Sequence, residues 1–121
     1  LGALLGGYVI GLSGYGVHHV LSQTLVRYKG IEHSTANAAM LPYTAEWLAR
    51  FHPRRREMLD RIAATARTTA RRAGLSGLAD LRVAPSSLPD LAARAAARPE
   101  LDLVPPRPTP QQIEELYRAA L

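Results

Sequence analysis

The stretch that decides the fold runs from residue 16 to residue 42, and it reads GVHHVLSQTLVRYKG followed by IEHSTANAAMLP. Apolar residues recur at helical spacing in its first half, which predicts a helix ending near Tyr28. Lys29 then supplies a cation at the helix C-terminus, and Gly30 tolerates a positive φ. Ser34 or Thr35 can cap the next helix. We therefore expect two helices joined by a turn at Gly30.

Upstream of this stretch, the segment from Leu1 to Leu12 is apolar and contains four glycines. It is too short to span a bilayer, and it lacks the basic start and the cleavage site of a signal peptide. We interpret it as a buried helix. Because the chain begins directly in apolar sequence without a methionine, an upstream partner or a missing N-terminal segment is expected.

The helix that follows Gly30 runs towards Phe51 with a kink at Pro42, and the spacing of apolar residues predicts three more helices after it. The first of these is amphipathic, with Met58, Leu59, Ile62, Ala66 and Ala70 on one face. The second follows Ser87 and ends before Pro99. The last follows a proline-rich connector at residues 105–110 and opens with a capping box formed by Thr109 and Gln112. Residues 76–82 are expected to form a short helical turn.

No segment alternates as a strand, and no glycine-rich turn joins a strand to a helix. The sequence therefore predicts an all-α helical bundle, a single domain over residues 1–121, without a dinucleotide-binding unit of its own. The absence of cysteine excludes disulfides and thiolate ligands and agrees with a reducing cytoplasm. The net charge of +5 is weak evidence for nucleic acid. The arginines at positions 54, 55, 56, 71 and 72 more simply form a solvated face, so neither a nucleic acid nor a membrane is expected as a partner.

Three of the four histidines, His18, His19 and His33, fall within sixteen residues. Imidazole is a common ligand of transition metals. On one unbroken helix His19 and His33 would lie about 21 Å apart, but the turn at Gly30 can bring them together. Two imidazoles still leave a metal under-coordinated, because a catalytic metal normally takes three protein ligands. The alternative is that His18 and His19 are ordinary helix residues and that His33 caps its helix.

The runs from Gly16 to Leu25 and from Glu32 to Pro42 resemble the iron-containing alcohol dehydrogenase family, which includes maleylacetate reductases and relatives of glycerol dehydrogenase. The adjacent His18 and His19, with the Gly6-Gly7-Tyr8 stretch, look most like the maleylacetate reductase branch. The proline-rich connector and closing helix are also similar to the end of that family. The resemblance thus covers nearly the whole chain, as the family's C-terminal helical domain, and its sharp motif lies in residues 16–42.

This resemblance implies that His19 and His33, fourteen positions apart, are ligands for ferrous iron or zinc. The family's other two ligands, an Asp and a His, have no counterpart here, nor has its nucleotide-binding domain. Gln23 stands where many members have a proton-relaying histidine, and glutamine cannot titrate. His18 and Asn37 are expected to line the pocket or to hydrogen-bond to the ligands. The alternatives are that His18 only packs in the interior and that the Asn37 amide caps the turn.

The implied function is that of the C-terminal part or subunit of a metal-dependent, NAD(P)-linked oxidoreductase of the alcohol dehydrogenase or maleylacetate reductase type. A complementary nucleotide-binding subunit or domain would bind most of the NAD(H) or NADP(H), and a small carbonyl or alcohol would be the substrate. A cytoplasmic heteromer, inactive without its other half, is expected. The alternative is a non-catalytic remnant or protein-interaction module that retains the fold.

Overall fold

The computed structural model describes residues 16–103 and 107–121. The helix predicted over Leu1 to Leu12 and the prolines at positions 105 and 106 lie outside the described residues. The described part is all-helical and contains no strand, which confirms the predicted fold class. Its five α-helices are α1 (Val17–Lys29), α2 (His33–Ala49), α3 (Arg56–Arg72), α4 (Leu88–Ala96) and α5 (Pro110–Ala119). Short 3₁₀ helices lie at Pro53–Arg55, Leu78–Leu81, Pro85–Ser87 and Pro99–Leu103.

The turn between α1 and α2 forms as predicted. Gly30 adopts a φ of 65°, and its N–H donates to the carbonyl oxygen of Val26 at 3.2 Å. A glycine reaches this left-handed conformation without the penalty that a Cβ atom imposes, so it ends α1 sharply. The chain can then turn directly into α2.

The predicted cap of α2 is wrong. The helix begins at His33, one residue before Ser34, and no side chain caps it. The Ser34 hydroxyl donates instead to the Glu32 carboxylate at 3.0 Å. At its other end α2 stops at Ala49, and the Phe51 ring packs 4.6 Å from the Trp47 ring. The helix runs through Pro42, and its predicted buried residues Leu41, Ala45 and Leu48 are all buried.

The remaining helices follow the apolar pattern closely. In α3 the predicted face is buried at Leu59, Ile62, Ala66 and Ala70, and the five arginines assigned to a solvated face are exposed. The capping box of α5 is confirmed, because the Thr109 N–H donates to Gln112 Oε1 at 2.9 Å and the Gln112 N–H donates to Thr109 Oγ1 at 3.1 Å. These reciprocal bonds satisfy two backbone N–H groups at the start of the helix, and Pro110 at its first position has no N–H to satisfy.

The helices pack as a group of three, α1 to α3, and a pair, α4 and α5, that contacts the group through α1 and α2. Helix α2 packs against both α1 and α3, while α4 packs against α5 and also touches α1. The end of the chain closes on the 3₁₀ helix at Leu78–Leu81, where the Leu78 N–H donates to the Ala120 carbonyl at 2.7 Å. Only glycine fits at position 77, since a Cβ there would lie 2.3 Å from the Leu121 carbonyl oxygen. No helix within the described ranges is long and apolar enough to cross a membrane.

Candidate metal centre

His18 is buried between α1 and α2, with 1% of its surface exposed. Its Nδ1 atom lies 2.8 Å from the Thr44 hydroxyl oxygen. That hydroxyl oxygen also lies 3.1 Å from the carbonyl oxygen of Met40 and 3.3 Å from that of Leu41. We assign the hydroxyl hydrogen to these carbonyl oxygens of α2, so that the Thr44 oxygen accepts from His18 and the ring carries its proton on Nδ1.

The electrostatic surroundings keep the His18 ring neutral. Burial lowers the pKa of His18 to about 4, with further lowering by the charges of His19 and His33, while a contact with the Asn37 amide acts in the opposite direction. Burial is the largest of these causes, because a charged imidazole loses its hydration inside the protein. His19, His33 and Asn37 thus all influence the pKa of His18, while the roles assigned to these residues at a metal site stay predictions.

His19 lies in the first turn of α1 and is partly exposed. Burial lowers its pKa, and the charge of His33 lowers it further; Glu100 raises it and Arg98 lowers it. His33 is exposed at the start of α2. Because charge interactions weaken with distance, each of these groups lies close enough to His19 to act on it. The lowered pKa favours the neutral imidazole, which is the form that binds metals.

Gln23 is partly buried and lies four residues after His19, on the same face of α1. Its amide can donate or accept a hydrogen bond but cannot carry a titrating proton. The same face therefore offers one imidazole and one neutral polar group.

The imidazoles of His19 and His33 fit a metal such as iron or zinc in donor chemistry, but two ligands do not complete a site. Within residues 16–103 and 107–121, no group of three or more His, Asp and Glu side chains could hold a metal ion. Glu100 lies near His19, yet its carboxylate is paired with the Arg98 guanidinium at 2.5 Å. These residues could thus hold a metal only together with ligands from elsewhere.

Sequence reasoning missed Thr44, Ser22 and the pair formed by Arg98 and Glu100. A signal for Thr44 was present, because it lies three residues after Leu41 and four before Leu48 on the predicted buried face of α2. Ser22 likewise lies one residue after Leu21 within the apolar pattern of α1. No signal places Glu100 beside His19, since the two residues are distant in sequence and meet only through the packing of the 3₁₀ helix at Pro99–Leu103 against α1.

A scan against protein-family models finds no match to this chain. Searches of curated proteins and of solved structures find none either. The observations on which a function can be proposed are therefore the five-helix fold, the histidines His19 on α1 and His33 on α2, and the sequence motif that contains them.

Proposed function

We propose that this chain is the C-terminal, metal-binding part of a metal-dependent, NAD(P)-linked oxidoreductase that a separate nucleotide-binding half completes. The observation that carries the proposal is the electrostatic influence of His33 on His19 across two helices. These are the two residues that the resemblance to iron-containing alcohol dehydrogenases picks out as ligands. A ligand pair supplied by two helices on either side of a fixed turn is a rigid arrangement, as metal sites require.

In this proposal His19 and His33 hold the metal as neutral imidazoles, and an Asp and a His from the other half supply the remaining ligands. The metal would supply Lewis-acid polarisation of a substrate oxygen. Gln23 hydrogen-bonds within the pocket without moving a proton, and His18 and Asn37 support the start of α1 from the buried side. The other half binds the nicotinamide cofactor, so the isolated chain is inactive.

Cobalt(II) binding to the isolated chain tests the ligand assignment. Because the chain contains no cysteine, visible absorption from bound cobalt can report only nitrogen and oxygen ligands. We expect weak binding that His19→Ala and His33→Ala each weaken by about tenfold or more. His52→Ala is the matched control, since His52 lies before the 3₁₀ helix at Pro53–Arg55, outside the cluster. Equal binding by all three variants and the wild type would overturn the assignment.

A second candidate is a non-catalytic module that retains the fold. Gln23 favours it, because a residue that cannot titrate stands at the position of the proton relay. Purification from the native source separates the two candidates. The oxidoreductase proposal expects a second polypeptide, with an Asp and His metal pair and a glycine-rich phosphate loop, that gives metal-dependent NADH oxidation with aldehydes when mixed with this chain. A second polypeptide without this activity, or a lone metal-free chain, favours the module.

A further inference from the structure

Two buried polar atoms of α1 stand out because they lack hydrogen-bond partners. They are Nε2 of His18 and the hydroxyl oxygen of Ser22, within the part of the chain that the structure describes. Ser22 is 0% exposed and His18 is 1% exposed. Buried polar atoms are nearly always hydrogen-bonded, and each exception requires an explanation. Here two exceptions occur one helical turn apart on the same face of one helix, which indicates a shared cause.

The hydrogen-bonding roles of the two atoms are complementary. His18 donates from Nδ1 to Thr44, and a neutral imidazole has only one N–H, so Nε2 presents a lone pair and accepts. The Ser22 hydroxyl can donate and accept. Side chains four residues apart on a helix have Cβ atoms about 5–6 Å apart, a span that one small molecule between them can bridge.

We propose that one water molecule binds in a buried site between His18 and Ser22, donating a hydrogen bond to Nε2 of His18 and bonding also to the Ser22 hydroxyl. A water supplies the two donors and two acceptors that such a site demands. By occupying Nε2 it fixes the orientation of the ring and so maintains the bond from Nδ1 to Thr44, which joins α1 to α2 beside His19. The proposal does not depend on metal binding.

Nitrogen-15 NMR of the wild-type histidine rings, together with a high-resolution crystal structure, tests the site directly. We expect a protonated Nδ1 and an unprotonated Nε2 in His18, and a single water within hydrogen-bond distance of both Nε2 and Ser22 Oγ. Asn37 provides the competing explanation, because its amide lies beside the ring. A protonated Nε2, an Asn37 amide bonded to Nε2, or no water between the two side chains would each overturn the proposal.

A double-mutant cycle provides a second test that does not need a crystal. His18→Asn keeps a donor near the position of Nδ1 but removes Nε2, so Ser22→Ala is compared in the wild-type and His18→Asn backgrounds. We expect Ser22→Ala to lower the urea midpoint in the wild type and to leave it unchanged or raise it in His18→Asn. Helix propensity favours alanine equally in both backgrounds and cancels. Equal shifts in the two backgrounds would contradict a shared water.

If His18→Asn does not fold, the test depends on the change in urea midpoint that Ser22→Ala causes in the wild type. An unpartnered buried hydroxyl destabilises the protein, so its removal would raise the midpoint. A bridged hydroxyl stabilises it, and its removal would lower the midpoint. A midpoint raised by more than the helix-propensity gain from serine to alanine therefore overturns the proposal, and a smaller rise or a lowered midpoint supports it.

Discussion

The α1–α2 interface joins helices of 13 and 17 residues and the α4–α5 interface joins helices of 9 and 10, and the two differ in the kinds of side chain that they bury. Between α4 and α5 the buried residues include Leu88, Leu91, Ala95 and Ile113, each with 0% exposure. The polar group at this interface is the Tyr117 hydroxyl, and it donates to the Leu21 carbonyl at 2.8 Å. This interface has the composition of a core that provides stability.

All four of the buried polar residues found in the described part of the chain, His18, Ser22, Thr24 and Thr44, lie on α1 or α2. Burying polar groups costs free energy unless each one is hydrogen-bonded, so packing alone does not explain them. Local departures from the best choice for stability concentrate at functional sites. The difference between the interfaces is therefore that α4 and α5 pack mainly through apolar side chains, whereas the buried polar residues lie on α1 and α2, the helices of the proposed metal ligands.

The largest expected effect tests the apolar side of this comparison. Leu91→Ala removes a fully buried side chain from α4 and should lower the free energy of unfolding by about 2–5 kcal/mol, from lost burial and the cavity left behind. Urea denaturation measures this loss. Leu81→Ala, at a partly buried position, is the control and should cost less. If both variants lost the same amount, α4 would not belong to a close-packed core.

The second-largest effect on stability tests the polar contact between α1 and α2. Thr44→Val keeps the shape of the side chain but leaves the Nδ1–H of His18 without an acceptor, which should cost about 1–3 kcal/mol. Thr44→Ser retains the hydroxyl and should restore the Nδ1–H signal of His18 in nitrogen-15 NMR. A Thr44→Val variant as stable as the wild type would show that the polar interface contributes nothing to holding α1 against α2.

The helices could be predicted from sequence because their signals are local. Apolar spacing, Gly30 and the reciprocal bonds of Thr109 and Gln112 are all set within a few residues, and each appears in the structure as predicted. The start of α2 was misplaced because Ser34 and Thr35 fit a capping pattern, whereas the helix begins one residue earlier without a side-chain cap. Local signals thus fix the existence of a helix better than its ends.

Of the candidate site, the turn at Gly30 is the part that the sequence predicted and the structure contains. His33 contributes to the lowered pKa of His19, and the ligand roles of the two residues stay predictions. The contact from His18 to Thr44 spans 26 residues and depends on the rotation of α2 about its own axis. Apolar spacing shows which face of a helix is buried, but it does not show which residues meet across the interface.

A smaller effect is expected where the two interfaces meet. Tyr117→Phe removes the hydroxyl of α5 that donates to Leu21 in α1, and it should cost about 0.5–1.5 kcal/mol. The loss is smaller than for Thr44→Val, because a helix interior supplies the Leu21 carbonyl with a second donor, whereas Nδ1–H of His18 has one acceptor. Thermal unfolding of the two variants side by side ranks them. The reverse ranking would place the more important polar contact in α5.

The smallest effect on stability is expected at Asp80, which lies outside both interfaces, and it is the reference with which the interface variants are compared. The Asp80 carboxylate accepts from the Ser76 hydroxyl at 2.6 Å and from the Ser76 and Gly77 N–H groups, and these bonds lower its pKa below the ordinary 3.8. A lowered pKa in the folded state adds stability above the unfolded pKa and loses it as the pH falls through the folded value.

Asp80→Asn should therefore be slightly less stable than the wild type at neutral pH, and the difference should shrink at about pH 3 as the wild-type carboxyl takes up a proton. Urea midpoints of both proteins at the two pH values measure it. Asp60→Asn is the control, because the exposed Asp60 carboxylate makes a long ion pair of 3.9 Å with Arg56. This variant should differ little in stability from the wild type at either pH. A difference that stayed constant on acidification would mean that Asp80 stabilises the turn through shape rather than charge. In that case the turn around Asp80 adds no pH dependence to the stability of the interface variants.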